Sequence, residues 1–139
     1  MFDVNKILAS KNAKMNFLKG LIRIAKSDGK DSESERIYFK QSAMVMELSE
    51  EEADTLEEIW NQTTEIKIQF DCTEEKMFFL IQAIQLCWVD GGYDEKEKEE
   101  MKKIASEMGI SKEALEKVEA WAYEGICWDK KGEELLLLK

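Results

Sequence analysis

Hydrophobic side chains recur at helical spacing through most of this chain. They are densest over residues 77–88, where apolar positions cover nearly the whole circumference of a helix. A helix that is apolar on most sides is typical of the centre of a bundle. Gly91 and Gly92 follow, and glycine permits the positive φ that commonly ends a helix. The pattern therefore predicts a central helix, begun by Thr73 as its cap and closed by a tight turn.

Six further helices are predicted around this central one. A short helix is expected over residues 3–9, and a longer one with a single apolar face over residues 13–26. The other four each start at a capping residue, and three of these starts have the spacing of a capping box. Gly109 is expected to end the sixth helix of the series. The four capping residues are Ser32, Ser49, Asp94 and Ser111, and the boxes are completed by Glu35, Glu52 and Glu97.

Two segments depart from helical spacing. Within residues 63–72, Ile66, Ile68 and Phe70 alternate with polar side chains, which predicts an extended connection. The tail, residues 129–139, holds four consecutive leucines and is too apolar to be expected in solvent. It would either pair with the extended connection or dock as a final helical turn. Val45 and Trp121 are expected to face the core from their helices.

The sequence contains an internal repeat with an offset of 62 residues. The offset aligns Asp28-Gly29 with Asp90-Gly91 and Glu35 with Glu97. The two units span about 15–62 and 77–124, and each reads helix, Asp-Gly turn, helix, helix. Units of this kind bury their apolar faces against each other. We therefore predict an all-α fold, a single domain over residues 1–139, and one bundle of about six to seven helices in two pseudo-equivalent halves.

Composition narrows the classes of partner. The chain has 139 residues, no proline, 36% charged residues and a net charge of −10. A negative protein repels phosphate backbones and anionic membranes, so nucleic acid and direct membrane insertion are not expected. Residues 1–27 are an exception, with six basic side chains against one acidic one. We expect these to form a solvated helix surface; an acidic partner, or the acidic face of another copy, is the alternative.

Catalysis and localisation follow from what the sequence lacks. There is no histidine, so the commonest general base and every Cys-His or Ser-His pair are missing. The three cysteines show no zinc-site spacing, and Cys87 falls within the apolar stripe. The four tryptophans could line a pocket but are expected in the core. No apolar run approaches the roughly 18 residues of a membrane span. We expect a cytoplasmic protein that is not an enzyme and needs no cofactor.

The repeated unit, IRIAKSDGKDSESE in the first half and IQLCWVDGGYDEKE in the second, resembles the tellurite-resistance TerB domain and its TerB-like relatives. Those relatives include the N-terminal region of a membrane-anchored DnaJ-type co-chaperone. The resemblance covers residues 15 to 122. It implies a compact helical bundle, a role in bacterial stress response or in envelope-linked systems, and binding of metal through acidic residues. The family places an apolar residue two positions after the glycine; Tyr93 fits this pattern and Asp31 does not.

The acidic turns are the candidate metal sites. Oxygen ligands for a divalent cation could come from the first turn and from the second, and the candidates are Asp28, Asp31, Glu35, Asp90, Asp94 and Glu97. An EF-hand is excluded, because the loop register that fits Glu35 puts Ile24 and Lys26 at ligand positions. The competing interpretation is structural: the aspartates bond to their own turns, and the glutamates complete capping boxes.

The sequence thus favours a non-enzymatic, cytoplasmic, TerB-like interaction module that binds another protein. The alternative is a divalent-cation-binding module built on the two Asp-Gly…Glu turns. A hydrolase that uses surface carboxylates is disfavoured by the missing histidine. The identity of the partner and the oligomeric state do not follow from the sequence.

Overall fold

The computed structural model describes residues 3–27, 33–62, 65–89 and 91–138, without the side chains of residues 33–35, 38 and 89. Over three quarters of these residues are helical and none lies in a strand, which confirms the all-α prediction. Seven helices occur in the described ranges: α1 Val4–Ile7, α2 Lys11–Ser27, α3 Glu33–Val45, α4 Glu50–Asn61, α5 Thr73–Val89, α6 Glu95–Glu107 and α7 Lys112–Leu136.

Capping side chains set most of the described helix starts. Ser49 and Glu52 form the predicted capping box at α4, and Asp94 and Glu97 form the one at α6. Ser111 accepts a hydrogen bond from the backbone N–H of Ala114 at the start of α7, as predicted. Each cap satisfies backbone donors that have no partner within the helix. The box predicted at Ser32 lies outside the described residues.

The start of α5 differs from the prediction. Thr73 is the first residue of the helix rather than its cap, because the backbone N–H of Lys76 donates to the Cys72 carbonyl. The Glu75 carboxylate accepts a hydrogen bond from the backbone N–H of Asp71, at 3.1 Å. A side chain of the first turn thereby joins the helix to the residues before it.

Three helices end with the same pattern of backbone hydrogen bonds. The N–H of the residue just beyond a left-handed position donates to a carbonyl five residues back, which is the Schellman arrangement. At α3 this position is Glu47, with φ 57°, and at α6 it is Gly109, with φ 74°. Leu48 then donates to Ala43, and Ile110 donates to Ala105. Gly92 likewise donates to Cys87 beyond α5, so the predicted endings at Gly91-Gly92 and Gly109 are confirmed.

The helix boundaries repeat along the chain. Both ends of α2 precede those of α5 by 62 residues, and the same holds for α3 and α6. The first residues of α4 and α7 are also 62 apart, although α7 is longer by more than three turns. This offset equals that of the sequence repeat. The structural equivalence of the two units as whole bodies stays a prediction.

Packing divides the chain into two compact units, Met1–Phe79 and Leu80–Lys139. In the first unit, α3 and α4 each pack against α2. In the second unit, α6 packs against α7. The boundary falls inside α5, in which every residue from Glu75 to Trp88 is buried or half-buried. The prediction of a single domain stays a prediction.

The predicted extended connection has no helix or strand in residues 65–70. Ile66 and Phe70 are buried, and the polar residues between them are exposed, as the alternation predicts. Two buried polar side chains of α2 hold this connection by its backbone. The Asn16 carbonyl oxygen accepts from the N–H of Gln69 at 2.9 Å, and the Arg23 guanidinium donates to the Ile66 carbonyl at 3.3 Å.

The core of the first unit is aromatic where α2 meets α5. Phe17 stacks on Phe78 and meets Phe79 edge-on, with ring centroids 5.6 Å and 6.0 Å apart. Phe70 adds a fourth ring, which packs against that of Phe79. Gly20 admits this packing, because a Cβ there would lie 2.3 Å from the ring of Phe79.

Four expectations about burial are wrong. The exposed fraction is 60% at Val45, 45% at Trp121 and 76% at Trp128, so none of these side chains faces a core. They lie outside the buried stripe of their helices. The described part of the tail is neither extended nor docked: α7 continues to Leu136, and Leu135 to Leu138 are all exposed.

Candidate functional site

An open groove lies between α3 and α4 in the first unit. Its volume is about 370 Å³. Both helices pack against α2. The groove lies between α3 and α4, and none of its lining residues belongs to α2. Its apolar lining comes from both helices and from the turn that joins them: Phe39, Ala43, Met44, Leu48, Ala53 and Trp60.

Aromatic contacts fix one end of this α3–α4 groove. Phe39 and Trp60 meet edge to face, with ring centroids 5.6 Å apart and planes at 70°. The guanidinium of Arg36 lies over the indole of Trp60, at 5.2 Å from its ring. Edge-to-face and cation–π geometry both favour a defined side-chain position. The wall at this end is therefore preformed rather than loose.

The rim of the α3–α4 groove is charged, with opposite signs on its two sides. Arg36 and Lys40 are one turn apart on α3, and Glu50, Asp54 and Glu57 line the α4 side. A bound segment would meet a basic edge along one flank and an acidic edge along the other. Such an arrangement can fix the orientation and register of a ligand.

Met44 stands at the edge of the α3–α4 groove with 78% of its surface exposed. Ile37 and Val45 of α3 are exposed as well, but they do not line the groove. An isolated exposed apolar residue needs no explanation, but one at the rim of an apolar groove extends the apolar surface that a ligand can cover. Methionine is suited to this position because its flexible thioether adapts to different partners.

The second unit has a groove at the corresponding place, between α6 and α7. Its volume is about 620 Å³. Six of its lining residues lie 62 positions after residues that line the α3–α4 groove. These pairs are Arg36 and Lys98, Lys40 and Lys102, Glu50 and Lys112, Ala53 and Leu115, Asp54 and Glu116, and Glu57 and Glu119. The sign of the charge is the same at four pairs and reversed only between Glu50 and Lys112.

Two aromatic residues of this second groove carry buried polar atoms. Trp88 and Tyr93 line it, and neither the indole N–H of Trp88 nor the hydroxyl of Tyr93 meets a hydrogen-bond partner among the described residues. Burial raises the pKa of Tyr93 well above its usual value, and the nearby Glu119 carboxylate raises it further. Within the described ranges, no acceptor, Glu119 included, has hydrogen-bonding geometry with that hydroxyl. Tyr93 therefore stays neutral throughout the ordinary pH range.

Of the six acidic candidates, only Asp94 and Glu97 have described side chains. Asp28, Asp31 and Asp90 lie outside those residues, and Glu35 is described only by its place in α3. Asp94 and Glu97 are engaged with each other's backbone: Asp94 Oδ1 accepts from the Glu97 N–H at 2.8 Å, and Glu97 Oε1 accepts from the Asp94 N–H at 3.1 Å. Across the described ranges, no three acidic or cysteine side chains form a group that could hold a metal ion.

The basic N-terminal region is largely occupied within the chain. Lys11 donates to the Glu47 carbonyl and pairs with Glu52 at 3.2 Å. Lys26 donates to the Gln62 carbonyl, Arg23 binds the connecting segment, and Lys14 is buried. Lys11 makes these contacts while its side chain stays 59% exposed. The expected solvated helix surface is therefore wrong for Lys14 and Arg23, which are buried.

Neither groove was predicted from the sequence. Their polar rims look like ordinary exposed helix faces, and Phe39, Trp60 and Trp88 look like core positions. The available signal was the repeat itself: a basic residue at positions 36 and 40 recurs at 98 and 102, and an acidic residue at 54 and 57 recurs at 116 and 119.

Comparison of the chain with protein-family models, with curated proteins and with solved structures gives no match. The TerB-like resemblance therefore remains a proposal that rests on the repeated Asp-Gly unit. No helix in the described part of the chain has both the length and the hydrophobicity to cross a membrane.

Proposed function

We propose that this chain is a non-enzymatic interaction module whose α3–α4 groove binds an amphipathic helical segment of another protein. The observation that carries the proposal is the preformed apolar groove with opposite charges on its two rims. An amphipathic helix lays its apolar stripe into such a groove.

The chemistry of the partner follows from the lining. Its apolar side chains would cover Met44 and fill the space beside Trp60. Acidic residues along one flank would face Arg36 and Lys40, and basic residues along the other would face Asp54 and Glu57. A partner with the reverse arrangement would meet like charges on both rims, which disfavours that orientation.

The biological setting of the proposal comes from the resemblance alone. A TerB-like module would act in bacterial stress response, in the cytoplasm. Deletion of its gene should then lower tolerance to tellurite or to oxidative stress. Unchanged tolerance would remove the stress setting and leave the groove proposal intact.

Selection from a peptide library tests the groove. The immobilised protein is presented with helical peptides of random surface, and binding of enriched peptides is measured by fluorescence anisotropy. We expect peptides with apolar residues at i, i+3 or i+4, and i+7, and dissociation constants of about 1–100 μM. Met44→Glu should weaken their binding at least about tenfold, because it places a charge at the apolar rim.

Ser106→Glu provides the matched control. Ser106 lies 62 positions after Met44, near the end of α6, and is also exposed. The same charge is therefore added at the corresponding place of the other unit, and binding should stay at the wild-type level. Peptides that bind Met44→Glu as tightly as wild type would contradict the proposal, and so would a library that yields no binder.

A further inference from the structure

The long helix α7 carries a second apolar face that no described residue of its own unit covers. Its first half is anchored by Leu115, Val118 and Ala122, which are buried. A different stripe starts at Trp121 and continues along the exposed side of the helix at alternating spacings of four and three residues. The members of this α7 stripe are Trp121, Gly125, Trp128, Gly132 and Leu135. At 1.5 Å per residue it is about 21 Å long.

Large side chains and glycines alternate along the α7 stripe. Trp128 is 76% exposed and Leu135 is 66% exposed. Spacings of four and three keep residues on one side of a helix and are those of a coiled-coil seam. The stripe is therefore a helix-packing surface with a bulky residue at every second position.

The two glycines have no close packing neighbour among the described residues. Glycine is the least favourable residue in a helix interior apart from proline. At Gly20 a side chain is excluded, because the ring of Phe79 occupies the space that a Cβ would need. Around Gly125 and Gly132, in contrast, a Cβ would meet no atom within 4 Å. Both positions are empty notches on the helix surface, beside exposed tryptophans.

We propose that the α7 stripe is a self-association surface that binds a second copy of this chain in antiparallel orientation. The two tryptophans are seven residues apart, and so are the two glycines. The antiparallel register that seats Trp128 in the notch at Gly125 of the second copy therefore also seats Trp121 in the notch at Gly132. Two-fold symmetry repeats both contacts, so the stripe is complementary to itself.

The charges beside the α7 stripe agree with this register. Glu124 and Lys131 flank it on the same edge of the helix, and both are exposed. In the antiparallel register, Glu124 of one copy lies within one turn of Lys131 of the other, and symmetry gives two such pairs. Opposite charges along the edge of a seam favour one orientation over the other.

A parallel dimer is disfavoured both by side-chain packing and by charge. It would place tryptophan against tryptophan and glycine against glycine, with crowded layers next to empty ones. It would also bring Glu124 close to Asp129 of the second copy, where like charges repel. The occupant that fits the stripe is therefore an antiparallel second copy.

Sedimentation equilibrium of the full chain tests the proposal. An interface formed by one stripe is small, so the dimer should be weak, with a dissociation constant of about 10–100 μM. Gly125→Leu is the decisive variant: it adds apolar surface but fills the notch that receives Trp128. If the α7 stripe forms the proposed antiparallel dimer, Gly125→Leu should weaken dimerisation at least about tenfold. Non-specific hydrophobic association would instead become stronger. Lys130→Leu adds the same side chain on the opposite side of α7 and should leave the dimer unchanged.

Charge exchange then tests the orientation. Glu124→Lys and Lys131→Glu should each weaken the dimer, and the double variant should restore it because the pair is re-formed with reversed signs. Thermal unfolding at low protein concentration confirms that each variant is folded. A wild-type chain that is monomeric at about 500 μM would overturn the proposal. Stronger association of Gly125→Leu, or a double variant weaker than both single ones, would overturn it as well.

Discussion

At the scale of single residues, two positions 62 apart have the same backbone and different side chains. Glu47 and Gly109 both take positive φ just beyond a helix, and both precede a residue that donates five positions back. For an L-residue with a Cβ this conformation costs about 1–2 kcal/mol, and for glycine it costs almost nothing. The first unit thus carries local strain at a position where the second unit has relieved it.

Glu47→Gly should therefore stabilise the protein. The backbone carbonyl that accepts from Lys11 is kept, and the side chain removed is exposed. After allowance for the greater freedom of glycine in the unfolded chain, we expect a gain of about 0.5–1 kcal/mol. Urea denaturation measures it. At the equivalent position of the second unit, Gly109→Ala should lower the free energy of unfolding by about 1 kcal/mol. A loss of stability in Glu47→Gly would show that the strain at Glu47 does not exist.

Glu97 separates capping from metal binding. If its carboxylate only completes the α6 capping box, Glu97→Gln should be nearly silent, because glutamine also serves at that position. Millimolar calcium, magnesium or manganese should then leave the melting temperature of wild type unchanged. A cation at 100 times its dissociation constant would instead add about 2.7 kcal/mol. A rise in melting temperature that Glu97→Gln removes would establish the alternative cation-binding function.

At the scale of helices, glycine has opposite meanings in α2 and α7. Gly20 is enclosed by the ring of Phe79, itself held by Phe17 and Phe70. Gly132 faces open space. The same substitution should therefore change stability in opposite directions in the two helices.

Gly20→Ala should destabilise the protein by about 1–3 kcal/mol, because the buried ring cannot move away from the new methyl group. Gly132→Ala should stabilise it by about 0.5–1 kcal/mol, since alanine favours the helix and meets no neighbour. Denaturant midpoints at low micromolar protein compare the two without dimerisation. Equal shifts for both variants would show that the packing of α2 on α5 is looser than described.

The helices were predictable because their signals are local. Ser49, Asp94, Ser111 and Gly109 act on backbone groups within five residues of themselves, so their effect can be derived from the sequence. The need for glycine at position 20 could not be derived in this way, because the ring that excludes a side chain there belongs to Phe79, 59 residues away in the chain. Whether Val45 and Trp121 are exposed depends on which side of their helix packs against another element. Hydrophobic periodicity does not decide this for residues at the edge of an apolar stripe.

The candidate site was predictable only in part, for the same reason. The capping roles of Asp94 and Glu97 follow from their spacing of three residues, and the structure has them. The grooves depend on how far two helices stand apart above a third element, a tertiary property that no local pattern encodes. Internal roles of Lys11 and Arg23 were missed because their acceptors are carbonyls 36 and 43 residues away.

At the scale of the whole molecule, the chain presents a different surface from each of its two units. The first unit offers the α3–α4 groove, with a charged rim of both signs. The second offers the α7 stripe, in which tryptophans alternate with glycines. A protein that binds a partner helix through one unit and a second copy through the other would present two partner-binding grooves per dimer. Linked sites of this kind can raise overall affinity without any new contact.

Methyl NMR of the methionines tests the central claim, the α3–α4 groove as a binding site, most directly. Met44 is exposed at the rim of the groove, and Met101 is fully buried in α6. During titration with a helical peptide selected for binding, the account predicts that the Met44 methyl resonance shifts in proportion to saturation while that of Met101 stays in place. A saturable shift of methionine methyls elsewhere, with Met44 unchanged, would contradict it.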